Sequence, residues 1–241
     1  MDRRLQAGFV PCALLVLFAT QAGAANQVEA VKLRYQEIEQ DVEPYEVVYT
    51  VSDDFIRVDD DSDSSGYIVF DRDKSKVYSV SHYNKSILVV PKYPDKSFDP
   101  DFELVVEFQA LDDVPPISGK KVHNYRVRAV TDGSSETCMD IQLVPGLLPE
   151  AAKSLQAFQT IMSGLHSSTL ENTPEEFRTP CYLVDQIYNK GDYYQKGLPI
   201  QEWHSNQRVR QLVNFENTSV DVSIFDIPPD YRQYSLKGDG D

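Results

Sequence analysis

Apolar and polar side chains alternate through many short segments of the chain. A period of two, with many Val, Ile, Tyr and Phe residues, is typical of β-strands. In the first half the pattern predicts strands at residues 45–51, 55–58, 67–70, 76–80, 86–90 and 102–108. In the second half it predicts strands at residues 122–130, 137–144, 181–188, 207–215 and 220–225.

Turn-forming residues separate most of these segments by only a few positions. Short connections favour hairpins, and hence an antiparallel sheet. The pair Asp132-Gly133 predicts the turn between two strands of the second half. Prolines interrupt the pattern at residues 91–101 and 111–120, which are therefore predicted to be loops.

One long helix is predicted at residues 149–165. Leu155, Phe158, Met162 and Leu165 recur at spacings of three and four, which places them on one face. Pro149 suits the first helical turn, and a second, short helix is expected to begin at Thr173. The fold class is therefore mainly β (α+β), an antiparallel sheet covered by one long and one or two short helices.

The N-terminus has the features of a secretory signal peptide. Two arginines precede a short apolar run, and Ala22-Gly23-Ala24 forms a cleavage site, so residues 1–24 are expected to be removed. Lipidation at Cys12 is the alternative, although Phe9-Val10-Pro11 lacks the small residue that lipidation requires. Residues 25–241 would then form a single exported domain, located in the periplasm.

Cleavage would leave two cysteines, Cys138 and Cys181. A single disulfide fits an exported protein in an oxidising compartment, and the alternative is two free buried thiols. A bridge closing a loop of this length would stabilise the fold by roughly 4 kcal/mol in the loop-entropy model.

The composition and motifs argue against several classes of function. With 38 acidic and 23 basic residues, the net charge of −15 disfavours nucleic acids and anionic membranes as partners. No histidine pair has metal-ligand spacing, and no nucleophile elbow or phosphate-binding glycine loop occurs. We therefore expect no enzyme activity, no cofactor and no integral membrane span.

The acidic stretch "DDDSDSSGYIVFDRD", from Asp59 to Asp73, allows two interpretations. Its spacing matches the first part of an EF-hand loop, but Arg72 stands where the loop needs a glutamate. A weaker calcium site at Asp59, Asp61 and Asp63 is one alternative. The other is the polar turn of a β-hairpin, whose short side chains and glycine tolerate unusual backbone angles.

Two parts of the chain resemble the bacterial LolA/LolB-like superfamily of lipoprotein carriers. The stretch "DDFIRVDDDSDSSGYIVFDRDKSKVYSVSHYNKSILVV" is similar to its opening strands, and an uncharacterised branch of exported domains is the nearest match. The ending "SIFDIPPDYRQY" is similar to the F-x-I-P-x-x-Y ending of that branch. The resemblance implies an incomplete barrel whose concave face is covered by helices. It also implies that Arg57 corresponds to the carriers' arginine, which holds a lid shut; the alternative is an outer-face pair with Asp59 or Glu46.

Three functions follow as hypotheses. The first is a non-enzymatic binding protein that holds an apolar ligand, such as an acyl chain, or the tail of an envelope protein. The second is an assembly module whose acidic surface and loops at residues 93–101 and 114–118 meet a basic partner. The third is an enzyme, which a cleft holding His123 or His204 beside paired carboxylates would indicate. The residues expected to line the apolar site are Arg57, Ile68, Phe70, Tyr78, Phe158, Met162 and Leu165.

Overall fold

The computed structural model describes residues 26–60, 63–94, 102–112 and 114–236. The predicted signal peptide and Cys12 lie outside these residues. The strands are β1 Gln27–Ile38, β2 Tyr45–Ser52, β3 Phe55–Asp60, β4 Asp63–Asp71, β5 Lys76–Ser81, β6 Ser86–Val90, β7 Leu104–Ala110, β8 Val114–Ile117, β9 Lys120–Thr131, β10 Ser134–Val144, β11 Leu198–His204, β12 Val209–Asp221 and β13 Arg232–Tyr234. The helices are α1 Pro149–Ser168 and α2 Pro180–Leu183, with 3₁₀ turns at Leu170–Asn172, Glu175–Phe177, Asp192–Gln195 and Val222–Phe225.

The protein is mainly β, as its alternating sequence predicts. Its described part contains one sheet of 13 strands in the order β13-β6-β5-β4-β3-β2-β1-β12-β11-β10-β9-β7, with β8 paired to β9. Neighbouring strands are antiparallel except β13 and β6, which are parallel. The sheet is open rather than closed, and it has more strands than the expected half-barrel. Asp132-Gly133 forms the predicted turn between β9 and β10.

Helix α1 packs on one face of the sheet, which we call the helix face. Side chains of alternate residues, such as Leu33, Ile56 and Phe70, point to this face and join buried helix residues in the main hydrophobic core. Pro149 occupies the first turn of α1, as predicted, and the helix runs three residues beyond its predicted end. Within the described residues, no helix is both long and apolar enough to cross a membrane.

The C-terminal segment covers part of the opposite face, which we call the outer face. Phe225 stacks on Phe55 of β3 with their ring centroids 5.2 Å apart, and it joins a small cluster with Ala30 and Val69. Beyond this contact the chain reaches the sheet edge, where β13 pairs with β6. The C-terminal segment therefore serves as a cover for part of the outer face.

Two segments have a different secondary structure from the one predicted. The strand predicted at residues 181–188 is wrong, because α2 continues there as a π-helical turn, Val184–Tyr188. Pro180 at the first helical position and the Thr179 side chain, which accepts from the backbone N–H of Tyr182, start this helix. Residues 111–120 were expected to be a loop, yet they contain β8.

Two further predictions change in detail. The strand predicted at residues 220–225 ends at Asp221 and becomes a 3₁₀ turn. The short helix expected from Thr173 is a 3₁₀ turn at Glu175–Phe177, and no side chain caps its start.

The predicted disulfide is confirmed. Cys138 on β10 and Cys181 on α2 are bonded, 43 residues apart in sequence. Both are buried, and both belong to the main core. The bridge therefore attaches the segment between α1 and β11 to the sheet.

Candidate functional site

The helix face carries two parallel rows of side chains that differ in exposure. In the first row, Val51, Ile56, Phe70, Val77 and Val90 are paired neighbours on β2 to β6, and all are at most 5% exposed. In the second row the neighbours are only partly buried; they are Tyr49, Val58, Ile68, Ser79 and Leu88. We call this second row the shelf. It offers a mostly apolar strip, five strands wide, that the protein does not fully cover.

Helix α1 forms one border of the core beneath the shelf. Leu155 and Leu165 are buried, whereas Phe158 and Met162 remain partly exposed where they pack against the same core. The rings of Phe158 and Phe70 lie 5.9 Å apart, which places Phe158 over the buried row. Apolar side chains of both helix and sheet therefore stay accessible next to a filled core.

Five of the predicted apolar-site residues come together on this face. Ile68 and Phe70 of the sheet and Phe158, Met162 and Leu165 of α1 all belong to, or pack against, the main core. Sequence reasoning missed Val58 and Leu88, because a strand pattern shows which residues share a face but does not show the pairing register.

Arg57 and Tyr78 lie on the outer face instead. The Arg57 guanidinium donates to both carboxylate oxygens of Asp59, at 2.7–3.0 Å, and to the carbonyl oxygen of Ile224 at 2.6 Å. Tyr78 pairs with Val69, a residue of the outer cluster. Arg57 thus holds the C-terminal segment and makes the pair with Asp59 that was the alternative interpretation.

A buried cluster of charged groups lies beyond Tyr49, at one end of the shelf. The Arg210 guanidinium sits 3.9 Å from the ring centroid of Tyr35 and 5.1 Å from that of Tyr49. Its nearest carboxylate oxygens are those of Glu37, at 3.3 Å, and Glu202, at 3.5 Å. All three charged residues are at most 7% exposed. Burial raises the pKa of Glu37 although Arg210 and Arg208 lower it, so attraction within the cluster offsets only part of the cost of burial at that residue.

His204 extends this cluster on strand β11. Its Nδ1 lies 3.3 Å from Asp185 Oδ2, and its Nε2 lies 3.4 Å from Glu202 Oε2 and 3.1 Å from Arg208 Nη2. Burial alone would lower the pKa of His204, but the hydrogen bonds with Asp185 and Glu202 outweigh burial and raise it. Burial would likewise raise the pKa of Glu202, yet Arg210 and His204 hold it at about 2.

The cluster makes stability depend on pH. Because the pKa of His204 is raised above its ordinary value of 6.5, its stabilising contribution is complete below that value. The contribution is lost as pH rises through the raised pKa. We expect the melting temperature to fall above about pH 6.5, by about 2–4 °C for each kcal/mol lost.

The variant His204→Gln is the control for this prediction. The melting temperature of this variant should not fall above pH 6.5. His166, whose pKa is lowered by burial, has the opposite effect in both proteins, so its contribution cancels when the two profiles are subtracted. Thermal unfolding from pH 5.5 to 8.5 measures both profiles. Identical profiles for wild type and variant would contradict the assigned role of His204.

His204 therefore lies beside two carboxylates, as the enzyme hypothesis required. However, its side chain is only 7% exposed and that of Asp185 only 12%. A reacting group needs contact with its substrate, so this enclosure favours a structural role for the cluster. His123 stacks on Tyr125, with ring centroids 6.3 Å apart, on strand β9.

The acidic stretch at the β3–β4 hairpin is partly described. Asp59 is engaged by Arg57, whereas Asp61 and the side chain of Asp63 lie outside the described residues. Gly66 lies within β4, where a Cβ atom would fall 2.1 Å from the carbonyl oxygen of Val80. The glycine is thus needed for close strand approach, rather than for ending the turn.

A possible metal cluster and the two loops expected to meet a partner are the remaining candidate sites. Among the described residues, the one cluster with metal-ligand proximity is Glu136, Cys138 and Cys181, and its two sulfur atoms are bonded to each other. Of the two loops expected to meet a partner, residues 95–101 are not described, and the other forms β8 beside β9.

Comparisons with known proteins do not identify a family. No family model matches the sequence, and no curated protein is detectably similar to it. An uncharacterized conserved protein from Thermus thermophilus has a TM-score of 0.44 at 8% identity, over 86% of this chain and 90% of that one. Two structures of PNGF-II have TM-scores of 0.41 at 10% and 9% identity, and the match spans only 31% and 32% of those chains. At these TM-scores the similarities carry no argument about function.

Proposed function

We propose that this protein is a non-enzymatic, exported binding protein that holds an apolar chain, such as an acyl chain, on the shelf. The observation that carries the proposal is the difference in burial between the two rows of the helix face. The row under α1 is closed, whereas the shelf beside it leaves Val58, Ile68 and Leu88 partly exposed. The LolA-like resemblance and the predicted signal peptide agree with an acyl-binding role in the periplasm.

The dimensions of the shelf suit one extended chain. Adjacent strands lie about 4.8 Å apart, so five paired strands span roughly 19 Å. That length matches an extended acyl chain, and each methylene removed from water contributes about 0.8 kcal/mol. Phe158 and Met162 would cover the bound chain along the side formed by α1.

Binding of a fluorescent fatty acid to the delipidated protein tests this proposal. We expect a sub-micromolar Kd, with Ile68→Ser and Leu88→Ser each weakening binding by about tenfold, since loss of one apolar contact costs about 1.4 kcal/mol. Because both residues are partly exposed, these variants should remain folded, which circular dichroism can verify.

Val105→Ser is the matched control. Val105 is 52% exposed on β7, and its neighbour Val106 packs against the core, so Val105 points to the outer face. The same kind of change should leave fatty-acid binding unaltered there. Absence of binding by the wild-type protein, or equal weakening by Val105→Ser, would reject the shelf as the binding site.

A further inference from the structure

A groove of about 580 Å³ opens on the outer face, on the opposite side of the sheet from the shelf. Its floor is formed by β1, β2 and β3, and one wall includes Tyr67 and Gly66 of β4. The volume lies within the range of about 300–1,000 Å³ that is typical of small-molecule sites. The groove is separate from the shelf, since no shelf residue lines it.

Cations from neighbouring strands converge on this groove, although the chain carries a net charge of −15. The strand register places Lys32 of β1 opposite Thr50 of β2, and Thr50 opposite Arg57 of β3. Paired strands lie about 4.8 Å apart, so the backbones of Lys32 and Arg57 are about 10 Å apart. Two long basic side chains therefore flank a short hydroxyl side chain.

Arg57 is held in a defined orientation at this position. Asp59 accepts from its Nε and Nη2, the Ile224 carbonyl accepts from its Nη1, and its guanidinium carbon lies 3.8 Å from the Tyr67 ring centroid. A guanidinium has more N–H donors than these contacts use. Arg57 can thus present remaining donors to a ligand without a loss of conformational freedom on binding.

Lys32 supplies the net positive charge of the groove. Within the described residues the structure gives it no salt bridge, whereas Arg34, which also lines the groove, pairs with Glu46 at 3.6 Å. The groove is not purely basic, because Asp60 also lines it and would oppose an anion. Asp59 and Arg57 neutralise each other, so Arg57 contributes N–H donors to the groove rather than net charge.

We propose that this groove binds the phosphate group of a polar phosphate ester. The non-bridging oxygen atoms of a phosphate can accept from Lys32, from the remaining N–H groups of Arg57 and from the Thr50 hydroxyl together. Charge-assisted bonds to guanidinium and ammonium groups are the strong contacts of such sites. The remaining volume, beside Tyr67 and His82, accommodates the polar body of the ester.

Titration with glucose 6-phosphate, followed by amide chemical shifts, tests the proposal. We expect saturable shifts at Thr50 and Gly66, none with glucose, and an approximately tenfold weaker Kd for Lys32→Gln. Lys32→Arg should retain binding, and Asp60→Asn should strengthen it about twofold. Lys120→Gln, an equal charge change at the exposed first residue of β9, should have no effect.

A second arm identifies the source of the phosphate. Phosphatidylglycerol vesicles, compared with phosphatidylcholine vesicles, test a lipid headgroup in place of a soluble ester. Binding of either probe that weakens in Lys32→Gln, but not in Lys120→Gln, supports the site. No shift with either probe, or equal weakening by the two lysine variants, overturns it. Neither result depends on the shelf, so the two proposals fail separately.

Discussion

Replacing both Cys138 and Cys181 with alanine should lower the free energy of unfolding by about 4 kcal/mol. The bond joins β10 to α2 across 43 residues. In the loop-entropy model, opening this loop gives the unfolded chain freedom that the bridge had removed. A loss of this size should lower the melting temperature by roughly 10 °C in a chain of this length.

Denaturant unfolding of the alanine variant and of the reduced wild-type protein measures this effect. The two free energies of unfolding should agree, because both proteins lack the bond. Alanine is the chosen substitute because it places no hydroxyl group in the core. Hydrogen exchange should quicken first in Pro180–Leu183 and Val184–Tyr188, the segments that the bridge attaches to the sheet. A loss below about 1 kcal/mol would contradict the prediction.

Arg210→Met should lower the free energy of unfolding by a similar amount, about 3–5 kcal/mol. The substitution keeps most of the volume but leaves Glu37 and Glu202 without the guanidinium that lies 3.3 Å and 3.5 Å from them. Both carboxylates are at most 5% exposed, so water cannot replace the lost charge. Removing one partner of a buried pair costs far more than removing the whole pair.

Arg126→Met is the matched control. Arg126 pairs with Asp140 at 2.7 Å, but their side chains are 38% and 31% exposed, so its loss should cost about 1 kcal/mol or less. Equal destabilisation by the two methionine variants would contradict the importance of burial.

The pH dependence of the Arg210→Met protein separates charge from packing. Without Arg210, the pKa of Glu202 should rise from about 2 towards or above its ordinary value of 4.5. Acidification would then relieve the unpaired charge and reduce the difference from wild type. Adding Glu37→Gln and Glu202→Gln should recover part of the stability at neutral pH. A difference that is constant from pH 4 to 8 would instead indicate lost packing alone.

The local sequence pattern predicted those elements whose conformation local interactions decide. Alternation placed most strands, Asp132-Gly133 marked a turn, and Pro149 marked the start of α1. The strand prediction for residues 181–188 failed because this segment has the apolar composition of a strand, with Cys181, Leu183, Val184 and Ile187. Their helical state follows from the Thr179 cap, Pro180 and attachment to Cys138.

The candidate sites required information that no local pattern contains. Residues Ile68 and Phe70 are two positions apart on the same strand face, yet α1 covers one more fully than the other. Sequence reasoning could group them but could not predict which would remain accessible. The outer groove similarly depends on the register that places Lys32, Thr50 and Arg57 side by side.

The sequence by itself determined the mainly β class and the long helix, because alternation and helical spacing are properties of the chain; it made the Cys138–Cys181 bond an expectation that the structure confirmed. Tertiary structure alone decided which apolar row is closed by α1 and which charges meet. Glu37, Glu202 and Arg210 come together only because β1 and β11 both pair with β12. Long-range strand pairing sets these distances, and sequence periodicity carries no information about it.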